Sequence, residues 1–161
     1  MSEMVRVGMA DYKLCRPPQK ISTLGLGSCL GVILYDNMTK LCGMAHVMLP
    51  DSTQITKNKN RMKFMDTCLP DMYEEMLREG ALPAAMIAKI AGGAQMFSAK
   101  PQQDMLHIGQ HNVAAAKEIL AGWGIPIVSE DVGGCCGRTI EFDTVTGELN
   151  IKTVGLGDNV I

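Results

Sequence analysis

Cys29 comes directly after a small, glycine-rich turn, Gly25-Leu26-Gly27-Ser28, and a single histidine, His46, falls near the end of the second apolar run beyond it. A thiol beside an imidazole is the pairing that thiol-dependent acyl transfer requires. The ring takes the thiol proton and later returns one to the leaving group. Gly25, Gly27 and Gly31 strip side chains from around the sulfur. That leaves room for a substrate amide and leaves backbone N–H groups free to hold an oxyanion. Taken singly, a cysteine is more often a small apolar core residue, and a histidine between Ala45 and Val47 is more often a core residue than a catalyst. Taken together, across one hairpin, the two support chemistry. A third group should orient the ring. Neither neighbour of His46 is Asp or Asn; Thr23, on the strand entering the turn, is a candidate, although the residues alone favour an ordinary strand threonine. Asp51 and Ser52, after Pro50, either line the rim of the site or simply turn the chain. Gly27, Ser28 and Ser52 are the candidate substrate-binding residues.

The elements that must position these groups can be read from the pattern. Leu30–Tyr35 reads as a buried strand, Asp36–Lys40 supplies turn residues, and Leu41–Met48 pairs back antiparallel. Cys29 opens the first strand and His46 nearly closes the second, so antiparallel pairing brings those two ends together. Ile21–Leu26 is expected to be a strand ending in the glycine turn. Met4–Met9 and Asp11–Cys15 read as short edge strands before the break at Pro17-Pro18. Lys63–Glu79 has helical periodicity, with Pro70 expected to kink or split it and Gly80 to end it. Met86–Ala91 and Ile125–Asp131 read as strands, Gly109–Ala121 as a second helix, and Thr139–Asp143 with Glu148–Val154 as a closing hairpin. Arg138, after the Gly133-Gly134 loop, is expected to anchor that loop or a substrate carboxylate, and polar Asp51–Lys59 to be a mobile loop. The fold class is α+β, with two main helices covering one side of a largely antiparallel sheet arrangement.

Composition bounds the function. With 161 residues and 47% hydrophobic content, a single domain spanning 1–161 is expected. A net charge of −2 with no basic stripe argues against nucleic acid as a partner. The sequence shows no basic N-terminal segment leading into an apolar one, and no apolar run nears the roughly 20 residues of a membrane span. The expectation is a cytoplasmic protein with no direct membrane insertion, whose six cysteines are thiols. No C-x-x-C spacing supports a zinc site, and His107 and His111 lack the glutamate that would complete a metalloprotease pattern. The glycine pairs match neither a P-loop nor a dinucleotide fingerprint. Neither a metal nor an organic cofactor is expected.

Five blocks then carry a resemblance: Thr23-Leu24-Gly25-Leu26-Gly27-Ser28-Cys29, Gly43–Ser52, Lys89–Phe97, Ile108–Val113, and Asp131–Gly134 with Gly137-Arg138. In that order, and over nearly the whole chain, they resemble the CheD family of chemoreceptor glutamine deamidases. The resemblance implies Cys29, His46 and Thr23 as the catalytic residues. It implies a layered α/β sandwich similar to toxin-type glutamine deamidases, with the thiol in a cleft. It implies a substrate glutamine on the cytoplasmic helices of chemotaxis receptors, and a CheC-type phosphatase as a partner. Pro70 and Cys135-Cys136 are less typical of the family. Two other readings fit the same residues: a non-enzymatic regulator binding CheC and receptors, and an esterase or transglutaminase acting through a similar thioester.

Overall fold

The computed structural model describes residues 3–52, 60–95 and 107–161. Most of the polar loop expected at Asp51–Lys59, and the end of the Lys89–Phe97 block, lie outside the described residues. The elements run β1 (Met4–Val7), β2 (Asp11–Cys15), β3 (Lys20–Leu26), β4 (Leu30–Asp36), β5 (Cys42–Val47), α1 (Met65–Arg78), β6 (Met86–Gly92), α2 (Ile108–Gly122), β7 (Ile127–Val132), β8 (Arg138–Asp143), β9 (Leu149–Thr153) and β10 (Gly157–Val160). The strands form two five-stranded sheets, ordered β1-β3-β8-β9-β10 and β2-β5-β4-β6-β7. Among these pairings only β1–β3 and β6–β7 run parallel.

The second sheet is the middle layer. On one face, Leu30, Val32 and Leu34 of β4 and Ala45 and Val47 of β5 pack against Met65, Cys68, Leu69, Met72 and Met76 of α1 and Ala116 and Leu120 of α2. On the other face, Ile33 and Tyr35 of β4 and Cys42 and Met44 of β5 meet Ile21, Ile140, Phe142, Leu149 and Ile151 of the first sheet. This explains why β4 is buried at every position. Strand side chains alternate between faces, and here each face has a cover, so no position tolerates a polar residue without a partner.

The strands form two stacked sheets with the helices on one side, the layered α+β arrangement expected, and the apolar side of β3, β8 and β9 is satisfied by the middle sheet rather than by a helix. Two expectations need correction. α1 runs unbroken through Pro70. Proline there deletes the one N–H that would bond to the Asp66 carbonyl, while apolar side chains on both sides of it, Met65, Cys68 and Leu69 before and Met72 and Met76 after, are packed against the sheet. The chain also adds β10, an edge strand exposed at all its positions that pairs with β9. Without a buried face it has no alternation to betray it. Among the described residues, no helix is long and apolar enough to cross a membrane.

Candidate active site

The β4–β5 register places Leu30 opposite Val47 and Gly31 opposite His46. Cys29, one residue before β4, therefore shares with His46 the face turned toward the first sheet. Cys29 is 9% exposed and His46 is 1% exposed. β3 brings Thr23 across the gap between the sheets, with Thr23 Oγ1 2.7 Å from His46 Nδ1. A bulge makes this possible. Thr23 pairs with Ile140 and Leu26 with Arg138, so β3 carries an extra residue between those points. Gly25, at φ +69°, absorbs it. The bulge keeps both Thr23 and Leu26 buried while Leu24 turns out to solvent.

The direction of each proton follows from valence. The Thr23 hydroxyl carries one hydrogen and donates it to the Val7 carbonyl, 2.8 Å away. Toward His46 it can only accept, so Nδ1 bears the ring proton and Nε2 holds the lone pair. Nε2 is buried and has no hydrogen-bond partner among the described residues. Burial holds the imidazole below its ordinary 6.5. Burial also raises the Cys29 thiol above 9.0, opposed by the residue's own backbone N–H. Both shifts favour neutral forms. The resting pair is a thiol and a neutral imidazole that share no hydrogen bond, rather than a preformed thiolate–imidazolium pair. In those forms the sulfur keeps its proton and the ring its lone pair, the arrangement of a thiol beside a general base.

The turn ahead of the thiol is held by its neighbours. Ala94 N–H donates to the Gly27 carbonyl and Gly93 N–H to the Cys29 carbonyl, each at 2.9 Å. Asn112 Nδ2, on α2, donates to the carbonyls of Ser28 at 2.9 Å and Met48 at 3.0 Å. Among the described residues no backbone oxygen accepts from the N–H groups of Ser28 and Cys29, and the Cys29 N–H favours its own sulfur. Gly27 and Ser28 thus flank the thiol as expected. Ser52 sits differently: its N–H and hydroxyl both donate to Asp66 in the first turn of α1. Arg138 is an anchor. Its guanidinium holds Asp131 at 3.1 Å and donates to the Gly92 carbonyl. A concavity of about 400 Å³ opens beside Thr23, lined by Val7, Met9 and Leu24, the last two with more than half their surface exposed. The His107 and His111 ring centres lie 6.3 Å apart, and no set of three or more His, Cys, Asp or Glu side chains converges to hold a metal among the described residues.

Two contributors were not foreseen. The Val7 carbonyl is main chain and carries no side-chain signal. Asn112 sits in a recognisable block, but its partners, Ser28 and Met48, are remote in sequence.

Known proteins resemble this chain over nearly its whole length. A family model described as "CheD chemotactic sensory transduction" matches residues 48–153. A "probable chemoreceptor glutamine deamidase CheD" of Caldanaerobacter subterraneus subsp. tengcongensis is 53% identical over 156 residues, covering 97% of this chain and 96% of the relative. A "chemoreceptor glutamine deamidase CheD" of Halalkalibacterium halodurans is 50% identical over 162 residues, covering 100% of both. Among solved structures, the crystal structure of the Bacillus licheniformis hypothetical protein YfiH is similar at a TM-score of 0.51 and 17% identity, over 78% of this chain. The chain spans about half the length of that structure, 51%, and the likeness concerns the fold alone.

Proposed function

The chain belongs to the CheD family, and on that premise we propose that it is a protein-glutamine deamidase that converts glutamine side chains of chemotaxis receptors to glutamate. Cys29 Sγ attacks the carboxamide carbon as His46 Nε2 takes the thiol proton. The oxyanion that forms is held by the N–H groups of Ser28 and Cys29. Removing one such donor typically costs about 10²–10³ in rate. The imidazolium then protonates the amide nitrogen, the C–N bond breaks, and ammonia leaves. A water, deprotonated by His46, attacks the resulting thioester carbonyl. The C–S bond breaks, the proton returns to sulfur, and glutamate is released. Thr23 holds the ring and stabilises the imidazolium by accepting from Nδ1–H throughout.

The single observation that carries this reading is the Val7–Thr23–His46 chain, which leaves Nε2 as the free base on the same sheet face as the thiol. Ser28 contacts the substrate amide through its backbone N–H, beside Gly27, whose own N–H and carbonyl are taken by Gly25 and Ala94. Exposed Leu24 and Met9 give an amphipathic receptor helix an apolar edge on which to rest. The reaction belongs to the cytoplasm, where receptor signalling helices lie. A CheC-type phosphatase occupying the same cleft is the proposed regulator.

Intact-mass spectrometry tests the reading. A glutamine-bearing receptor cytoplasmic fragment should gain about 1 Da per site with the wild-type protein and nothing with Cys29→Ala. An unchanged mass while the fragment stays bound would favour a binding regulator. Loss of about 14 Da from a methylated fragment would favour an esterase.

A further inference from the structure

Asn112 of α2 is completely buried, and its amide oxygen has no partner among the described residues. A buried, unpartnered acceptor is destabilising, so stability alone does not account for an amide here. Its two protons are both used, one on the Ser28 carbonyl and one on the Met48 carbonyl. The first belongs to the peptide joining Ser28 to the nucleophile. The second lies just past the end of β5, the strand that carries His46.

In a trans peptide the C=O and the following N–H point in opposite directions. A latch on the Gly27 carbonyl therefore aims the Ser28 N–H, and a latch on the Ser28 carbonyl aims the Cys29 N–H. The Gly27 and Cys29 carbonyls are latched by the main chain of Ala94 and Gly93. The one between them is latched by a side chain, that of Asn112. The approach is close. A Cβ on Gly92 would fall 2.5 Å from the Cys29 oxygen, and one on Gly109 would fall 2.5 Å from the carbonyl oxygens of Gly93 and Ala94.

We infer that Asn112 is a positioning residue of the deamidation reaction: by holding the Ser28 carbonyl from behind, it aims the Cys29 N–H at the oxyanion, while its bond to Met48 ties that peptide to the end of the histidine strand. The inference rests on the deamidase reading. Because the oxyanion exists only after attack, loss of the latch slows turnover without weakening substrate binding. The thiol stays in place, since the main-chain bonds on either side of the peptide remain.

The test compares wild type, Asn112→Leu, Asn112→Ser and Cys29→Ala on a glutamine-bearing receptor fragment, measuring ammonia release and, separately, the rate of Cys29 alkylation by iodoacetamide. Asn112→Leu keeps the volume and loses both donors. Asn112→Ser is the milder change and decides the matter if the leucine variant does not fold. The expected result is a kcat lower by about 10- to 100-fold, with KM and the alkylation rate within about twofold of wild type. A kcat at the wild-type level in a folded variant overturns the inference. So does a loss of kcat matched by an equal loss of alkylation, which is the signature of a displaced thiol. If the wild-type protein releases no more ammonia than Cys29→Ala, the deamidase reading itself fails, and the inference with it.

Discussion

The two faces of the middle sheet are built from the same strands and have opposite characters. Toward the helices, β4 and β5 present Leu30, Val32, Leu34, Ala45 and Val47, sealed under the methionines of α1. Toward the first sheet they present Ile33, Met44 and, at one end, Cys29 and His46. A cysteine lies on each side. Cys68 of α1 is completely buried, and burial, with Asp71 and Asp11 nearby, pushes its thiol up to about 12. Cys29 is also raised by burial, but it keeps a sliver of exposure and its own N–H works against the rise. Reactivity thus follows from where the backbone donors and the base sit, not from the presence of a thiol. One face is sealed by helices, and one end of the other carries the proposed site.

Substitutions can break or sharpen that contrast. Cys29→Ala should lower deamidation to background, a loss of at least about 10⁴-fold, with an unchanged melting temperature. Cys68→Ala should keep kcat and lose stability. The contrast collapses if Cys68→Ala inactivates a folded protein. Next in size is Thr23→Val, which removes the acceptor for Nδ1–H and the donor to Val7 together. A fall in kcat of about 10²-fold is expected, through loss of the ring's orientation and of imidazolium stabilisation, and Thr23→Ser should restore most of it. Equal damage from the valine and serine variants would mean that the methyl group, not the hydroxyl, matters.

A smaller effect is on pH dependence. Burial lowers the His46 pKa, so the base stays neutral and competent to a pH below the ordinary 6.5 of a histidine. The acid limb of kcat/KM in wild type should therefore have its midpoint below 6.5. A midpoint above that value would point to a preformed ion pair instead. The same shift has a stability sign. The unfolded chain binds the proton more readily, so stability falls as pH drops through the unfolded value near 6.5. The least effect on activity belongs to Leu69→Ala, in the sealed face. It should cost about 2–5 kcal/mol of stability in denaturant melts while kcat, measured well below the melting temperature, stays at the wild-type level.

Much of this was legible in the order of residues. The β4–β5 hairpin announces itself as two apolar runs around Asp36–Lys40, and the placing of Cys29 at the His46 end of that hairpin follows from antiparallel geometry alone. Thr23 was a candidate by position and by resemblance, and its contact with His46 is made across two sheets. β10 was invisible because nothing on it is buried. The continuity of α1 through Pro70 was misjudged because local propensity speaks against it, while packing on both sides outweighs one missing bond.

The sequence by itself determined the strand pair that sets Cys29 and His46 on one sheet face, and the family. These depend on alternation, turn chemistry and motif order, which are local. Only the tertiary structure decided the rest. The ring's tautomer depends on the Val7 carbonyl reaching Thr23. The aim of the Cys29 N–H depends on Asn112 reaching Ser28. Ser52 was drawn to the first turn of α1. Each is a hydrogen bond between groups far apart in the chain, and its direction is settled only when a particular donor meets a particular acceptor in a place that water does not reach.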